Sequence, residues 1–216
     1  MRVFVTGATG HLGSAVVPEL LQAGHEVVGL ARSEASAAAL TAVGAAVHRG
    51  DLDDLDGLRE AASAADGVIH LAVKHDAMRA GDHADAVAAG PRVDAENTII
   101  GLADRGVRSS VVRLPPVVHS TLDKHGFIPT LIASARAAGR SGYLGDGADR
   151  WPAGHTLDAG RLYRLALEKA PEGSRLHAVG DEGIPVRQIA QTIGRHPVVP
   201  TALIADLDQG HYFTTA

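Results

Sequence analysis

A chain of 216 residues with 45% hydrophobic and 21% charged residues is expected to be a soluble globular protein, with one substantial core or a core plus a smaller lobe. A formal net charge of −5 and only 3% aromatic residues provide neither a basic field nor stacking platforms, so nucleic acid is not an expected partner. The lack of cysteine excludes disulfides, thiolate metal sites and thiol nucleophiles.

The opening segment has no apolar stretch of signal-peptide length, and no run of about 18 apolar residues occurs anywhere. Neither a membrane nor export is expected, and a cytoplasmic location follows by default. Val3-Phe4-Val5 is a continuous apolar run closed by Gly7, the pattern of a parallel strand buried on both faces. Leu12, Val16, Leu20 and Leu21 recur at helical spacing, and Gly24 stands where that helix would end. Strands are then expected at Glu26 to Leu30, Ala45 to His48 and Val68 to Ala72, with helices at Ala35 to Val43 and Leu55 to Ala64 between them. Such alternation predicts βαβ units with right-handed crossovers and a parallel sheet.

Beyond Ala72 the rhythm changes. Met78 to Ala89 has helical character, Gly90-Pro91 reads as a break, and Val93 to Ala103 as a further helix. Arg108 to Leu114 returns to strand and stops at Pro115-Pro116. Helices are expected at Ile128 to Ala138, Leu157 to Lys169 and Val186 to Ile193, with a short strand at Leu176 to Val179. Gly139 to Gly154, which holds Trp151, reads as loop, and the segment from Pro197 onward has mixed character. The fold class that results is α/β: a Rossmann-like, doubly wound parallel sheet over 1–116, with a small C-terminal α/β substrate lobe over 117–216.

The segment Thr6-Gly7-Ala8-Thr9-Gly10-His11-Leu12-Gly13 carries the chemistry. Its glycines stand at G-x-x-G-x-x-G spacing between a strand and a helix, the context a dinucleotide-binding turn requires. Gly7 would allow the tight turn, Gly10 the approach of a pyrophosphate, and Gly13 close packing of the helix on the sheet. Backbone amides and the positive end of the helix dipole would then meet the phosphates. The plain alternative is a merely structural strand–turn–helix. Cofactor choice is read at the end of the second strand, where a carboxylate favours NAD(H) and an arginine accommodates the 2′-phosphate of NADP(H). This chain has Arg32-Ser33 there, which favours NADP(H), although Glu34 could reach the ribose instead.

These residues resemble the extended or atypical branch of the short-chain dehydrogenase/reductase superfamily, the NAD-dependent epimerase/dehydratase family. The glycine turn is similar to that family's T-G-A-x-G-x-x-G, and Gly50-Asp51-Leu52 to its G-D-[LI], which borders the adenine. Asp66-Gly67-Val68-Ile69-His70-Leu71-Ala72 resembles D-x-V-[IF]-H-L-A, whose end, with Val73 beyond it, would line the cofactor channel. Val112-Arg113-Leu114-Pro115-Pro116-Val117-Val118-His119 is similar to V-x-R-P-x-x-V-Y-G near the nicotinamide, and His155 to Leu162 to the H-V-x-D-x-A segment of the second lobe. The resemblance implies cofactor contacts from Gly7, Thr9, Gly10, His11, Leu12, Gly13, Arg32, Ser33, Asp51, Leu52, Leu71, Ala72, Val73 and Pro115.

Two departures bear on activity. The family's Tyr-x-x-x-Lys pair is absent, because Tyr143, Tyr163 and Tyr212 are followed four residues later by Gly147, Leu167 and Ala216. On the helix that would bear the pair, Arg92 and Glu96 stand in its place, and an arginine can orient or polarise but not release a proton. The fifth strand, expected to bring a Ser or Thr, has no counterpart between Ala72 and Arg108, so Gly90-Pro91 reads as a junction where a strand and its crossover are missing. Relatives are also expected to continue past His211-Tyr212-Phe213.

His119 and His125 flank the loop where a substrate would approach, and either could act as general acid. Solvated loop histidines are the commoner reading. Arg150-Trp151-Pro152 with His155 could wall a substrate pocket, with Trp151 as plain core the alternative. Catalytic candidates are thus Arg92 and His119, and substrate-binding candidates His125, Trp151 and His155. Lys74-His75-Asp76 and Asp82-His83-Ala84-Asp85 match no metal-site spacing, and no metal is expected. The leading reading is an NADP(H)-dependent oxidoreductase or epimerase-like enzyme for a small carbonyl or hydroxyl compound, with a homodimer as one open arrangement. Its rivals are a redox-sensing or regulatory protein that binds NADP(H) without turnover, and a shortened product that folds poorly.

Overall fold

The computed structural model describes residues 1–73 and 90–195, the side chains of 90–92 excepted. In its first third, β1 (Arg2–Thr6), β2 (Glu26–Ala31), β3 (Ala46–Arg49) and β4 (Gly67–His70) alternate with α1 (Gly13–Gln22), α2 (Glu34–Ala42) and α3 (Leu55–Ser63). The strands form a four-stranded sheet in the order β3-β2-β1-β4, every pair parallel. Val3 and Val5 are fully buried because a central strand of such a sheet has no solvent face. One sheet face carries the core, in which Val3, Val5, Val27, Ala31 and Ile69 meet Val16, Val17 and Leu20 of α1 and Leu40 of α2. Capping fixes the helix starts: Ser33 accepts from the Ser36 amide at 3.1 Å, and Asp54 from the Gly57 amide at 3.0 Å.

The next elements are α4 (Gly90–Gly101), a 3₁₀ turn (Leu102–Arg105), β5 (Ser110–Arg113), β6 (Val117–His119), α5 (Phe127–Ala138), β7 (Arg150–His155), α6 (Thr156–Lys169), β8 (Ser174–His177), β9 (Asp181–Pro185) and α7 (Val186–Gly194). The helix expected at Met78 to Ala89 lies outside the described residues, and Gly90-Pro91 stand at the first described residues of α4.

The described residues form two compact units, one within 1–113 and 157–177, the other within 114–156 and 178–195. The sequence reading assigned everything after 116 to a second lobe, whereas the first unit takes back 157–177. In that unit β5 and β8 form a parallel pair, while the four-stranded sheet ends at β4 among the described residues. Tyr163 and Leu167 of α6 pack into the first core, and Gly160 lets α6 approach α1 so closely that a Cβ there would lie 3.2 Å from Ala15. Arg164 then bonds Glu19 and Glu168 at 2.7 Å each, and Glu168 bonds His25 Nε2 at 2.9 Å.

The second unit is built on a sheet in the order β6-β7-β9, with β6 and β7 parallel and β7 and β9 antiparallel. Leu131 and Ala135 of α5 pack with Ile193 of α7 in its small core. The expected loop at 139–154 thus ends in a strand. Pro152 is tolerated in β7 because the pairing with β9 shifts register between Trp151 and Ala153.

Candidate functional site

The carboxyl ends of β1 to β4 gather most of the predicted residues of the first unit. Gly7 leaves β1 at φ +67, and a Cβ on it would lie 2.7 Å from Ala72 N and 2.8 Å from Leu71 C. The turn is therefore pressed against the backbone that follows β4, and only glycine satisfies both demands. Gly13 is fixed by packing, since a Cβ there would overlap the carbonyl groups of Gly7 and Ala8. Gly10 differs from both. Its φ lies outside the left-handed region, and a Cβ would meet only Gly7 O, at 3.2 Å.

No positive φ demands glycine at position 10, and the close contact a Cβ would make there is with backbone, Gly7 O. Position 10 lies at the mouth of α1, where first-turn amides precede the intrahelical acceptors and the dipole is positive. Gly10 itself is turned inward, its N–H donating to Gly7 O at 3.0 Å and its carbonyl accepting from the Ser14 amide at 2.8 Å. Thr9, His11 and Leu12 occupy the same turn. A diphosphate resting on the backbone fits this arrangement.

At the neighbouring strand end, Arg32 directly follows β2, and its side chain is 84% exposed, with Nη1 3.9 Å from Asp51 Oδ2. Ser33 caps α2, and Asp51 Oδ1 accepts from the Asp53 amide at 3.1 Å, which holds the turn that leads into Leu52 and α3. Sequence reasoning missed Arg49. Its Nη1 donates to Ser33 O at 2.7 Å, and its Nη2 pairs with the Glu34 carboxylate. Glu34, the acid that could have reached a ribose, is thereby engaged. The signal lay in the register, which sets Arg49 opposite Ala31.

Leu71, Ala72 and Val73 follow β4, and the Leu71 amide donates to Thr6 O at 3.1 Å. Thr6 Oγ1 lies 2.7 Å from His70 Nδ1 across the β1–β4 pair, and burial holds the His70 pKa below the usual histidine value. This pair, also missed from sequence, sits at the carboxyl ends of β1 and β4.

Arg92 falls in the first turn of α4, and its side chain lies outside the described residues. Glu96 is not free for proton transfer. Arg113 holds it with two bonds at 2.6 and 2.9 Å, and Arg175 adds a third at 2.7 Å. The hydrogen bonds from Arg113, then from Arg175, bring its pKa down to about 2. Tyr163 does not replace the missing tyrosine, because burial against the core pushes its hydroxyl up to about 12. A proton-transferring tyrosine needs the opposite shift.

The remaining candidates belong to the second unit. His119 and His155 are register partners at the ends of β6 and β7, with ring centroids 6.0 Å apart and nearly perpendicular. Pro115 packs near Gly154, where a Cβ would lie 3.5 Å from the proline ring. Trp151 stacks edge-on against Phe127 at 5.2 Å. His125 lies in the loop before α5, its amide donating to Asp123 Oδ1 at 3.2 Å. The structure thus pairs His119 with His155 and places Trp151 on an aromatic neighbour. The histidine- and aspartate-rich segment at 75–85 lies outside the described residues. Among the described residues, no group of three or more His, Asp or Glu is placed to hold a metal, and no helix is long and apolar enough to cross a membrane.

The profile of the NAD dependent epimerase/dehydratase family matches residues 3–92. An uncharacterised protein of Schizosaccharomyces pombe is 39% identical over 255 residues, covering 99% of this chain and 86% of that protein. The chain belongs to the NAD-dependent epimerase/dehydratase family. A second uncharacterised relative, from Saccharomyces cerevisiae, is 38% identical over 257 residues with the same coverage. Among solved structures, dTDP-glucose 4,6-dehydratase of Bacillus anthracis, in complex with NAD, superposes with a TM-score of 0.71 at 13% identity, covering 90% of this chain and 80% of that one. Both yeast alignments are longer than the 216 residues of this chain, so each relative carries internal residues that this family member does not. The lack of β4–β5 pairing among the described residues accords with that difference.

Proposed function

We propose that this family member is an NADP(H)-dependent oxidoreductase or epimerase/dehydratase-like enzyme acting on a small carbonyl or hydroxyl compound. The observation that carries the NADP(H) reading is the tip of β2, where Arg32 projects into solvent while Glu34 is neutralised by Arg49. The NAD held by the Bacillus anthracis dehydratase supports a nicotinamide dinucleotide as the ligand class. When bound, that group supplies hydride chemistry. This chain's own residues would seat the diphosphate on the Gly7–Gly13 turn, border the adenine with Asp51 and Leu52, and meet a 2′-phosphate with Arg32 and Ser33. In the second unit His119, with His155 beside it, is the residue best suited to carry a proton, and His125 and Trp151 are substrate contacts.

A second reading has an observation of its own. With the Tyr-x-x-x-Lys pair gone, Glu96 locked between two arginines and Tyr163 buried, the chain would bind NADP(H) without turning it over, as a redox sensor does. Titrating NADPH fluorescence and then following its absorbance with a panel of aldehydes and ketones separates the two. Oxidation supports the enzyme, and tight binding with no oxidation supports the sensor. Arg32→Ala is expected to weaken NADPH about 10- to 100-fold while leaving NADH unchanged, from the loss of one charge-assisted bond. An Arg32→Ala protein that kept its preference for NADPH would refute the cofactor assignment.

A further inference from the structure

We infer that Arg49 is a positioning residue for cofactor choice, acting on a 2′-phosphate through Glu34 and the turn that carries Arg32. The inference rests on the NADP(H) reading above. Arg49 ends β3 opposite Ala31, next in sequence to Arg32, so parallel pairing alone brings a second guanidinium to the tip of β2. There it does two things. Its bond to Ser33 O, at 2.7 Å, fixes the turn between β2 and α2. Its pairing with Glu34 cancels the charge of the first residue of α2.

That cancellation matters because of where Glu34 stands. A carboxylate near the end of the second strand is the group that accepts a ribose 2′-hydroxyl and repels a 2′-phosphate. The tip holds two guanidiniums, Arg32 and Arg49, against two carboxylates, Glu34 and Asp51. Without Arg49 the tip would carry an excess negative charge beside the place proposed for a dianionic phosphate. Both members of the pair are open to solvent, Arg49 at 46% and Glu34 at 90%, so substitutions there probe charge rather than core packing.

The test is a set of NADPH and NADH fluorescence titrations on the full chain and on Arg49→Gln, Glu34→Gln and the double variant. Arg49→Gln is expected to weaken NADPH about tenfold and NADH less than about twofold, because Glu34 is then left uncompensated beside the phosphate. Glu34→Gln is expected to tighten NADPH about threefold, and the double variant to recover most of what Arg49→Gln loses, as coupled neighbours do. Glu34→Gln keeps Arg49 in place, so it reads the same charge balance even where Arg49→Gln lowers stability. Equal weakening of both cofactors in Arg49→Gln, or a double variant no better than Arg49→Gln, would overturn the inference while leaving the NADP(H) reading intact. A wild-type chain that held NADH as tightly as NADPH would overturn both.

Discussion

Gly7 and Gly10 stand three residues apart in one turn, and the structure separates their roles sharply enough to measure. A Gly7→Ala side chain would have to adopt φ +67 and would place its Cβ 2.7 Å from Ala72 N, where backbone cannot move aside. The left-handed conformation costs about 1–2 kcal/mol, and overpacking adds about 1–3, for a loss of about 2–5 kcal/mol. Against a total stability of about 5–15 kcal/mol, that is a large share. Gly10→Ala meets only Gly7 O at 3.2 Å and has an ordinary φ, so its stability should stay within about 1 kcal/mol of wild type. Its methyl group, however, enters the space proposed for the diphosphate. Each charge-assisted amide bond lost there is worth about 1.5–3 kcal/mol, which is about 10- to 100-fold in affinity. Urea unfolding gives the first quantity and NADPH titration the second. Gly10→Ala binding NADPH within twofold of wild type, or losing as much stability as Gly7→Ala, would refute this reasoning.

Two further predictions concern the charged networks of the first unit. Glu96 has a folded pKa of about 2, below its unfolded value, so its contribution is present above the ordinary carboxylate range and is lost as pH falls toward about 2. Urea midpoints measured from pH 7 to pH 3 should fall less in Glu96→Gln than in wild type, and equal slopes would contradict the assignment. The second is Glu168→Gln, which removes a carboxylate whose pKa is lowered by hydrogen bonds from His25 and then Arg164. Among the described residues His25 Nδ1 is buried with no partner, so Nε2 has much to lose, and thermal denaturation should show a cost of about 1–3 kcal/mol. An unchanged midpoint would mean that α6 is held by its apolar contacts alone.

β1 and β2 could be read from sequence because strands buried on both faces are short continuous apolar runs, β3 and β4 followed from the alternation with helices, and Gly7 and Gly13 mark the turn between β1 and α1. Much of the rest depends on partners distant in the chain. Tyr163 and Leu167 look like the apolar stripe of any amphipathic helix, and nothing local says that they belong with Val3 and Val16. Arg150 to His155 contains a proline and a glycine, so it reads as loop until the register shift against β9 shows how Pro152 is accommodated. Arg49 escaped notice for a similar reason. Its role depends on which residue faces it across β2 and β3, and a sequence read along its length contains no register.

The return of 157–177 to the first unit has a consequence for synthesis. A ribosome that adds about 5–20 residues each second releases β5 well before its partner β8 exists. Gly67, whose missing side chain leaves room for Leu167, likewise emerges about a hundred residues ahead of it. The nucleotide-binding half therefore cannot close vectorially behind the tunnel. Its apolar surface stays open until the last quarter of the chain arrives, and a nascent chain stalled before Leu167 would expose it to chaperones and to neighbouring chains.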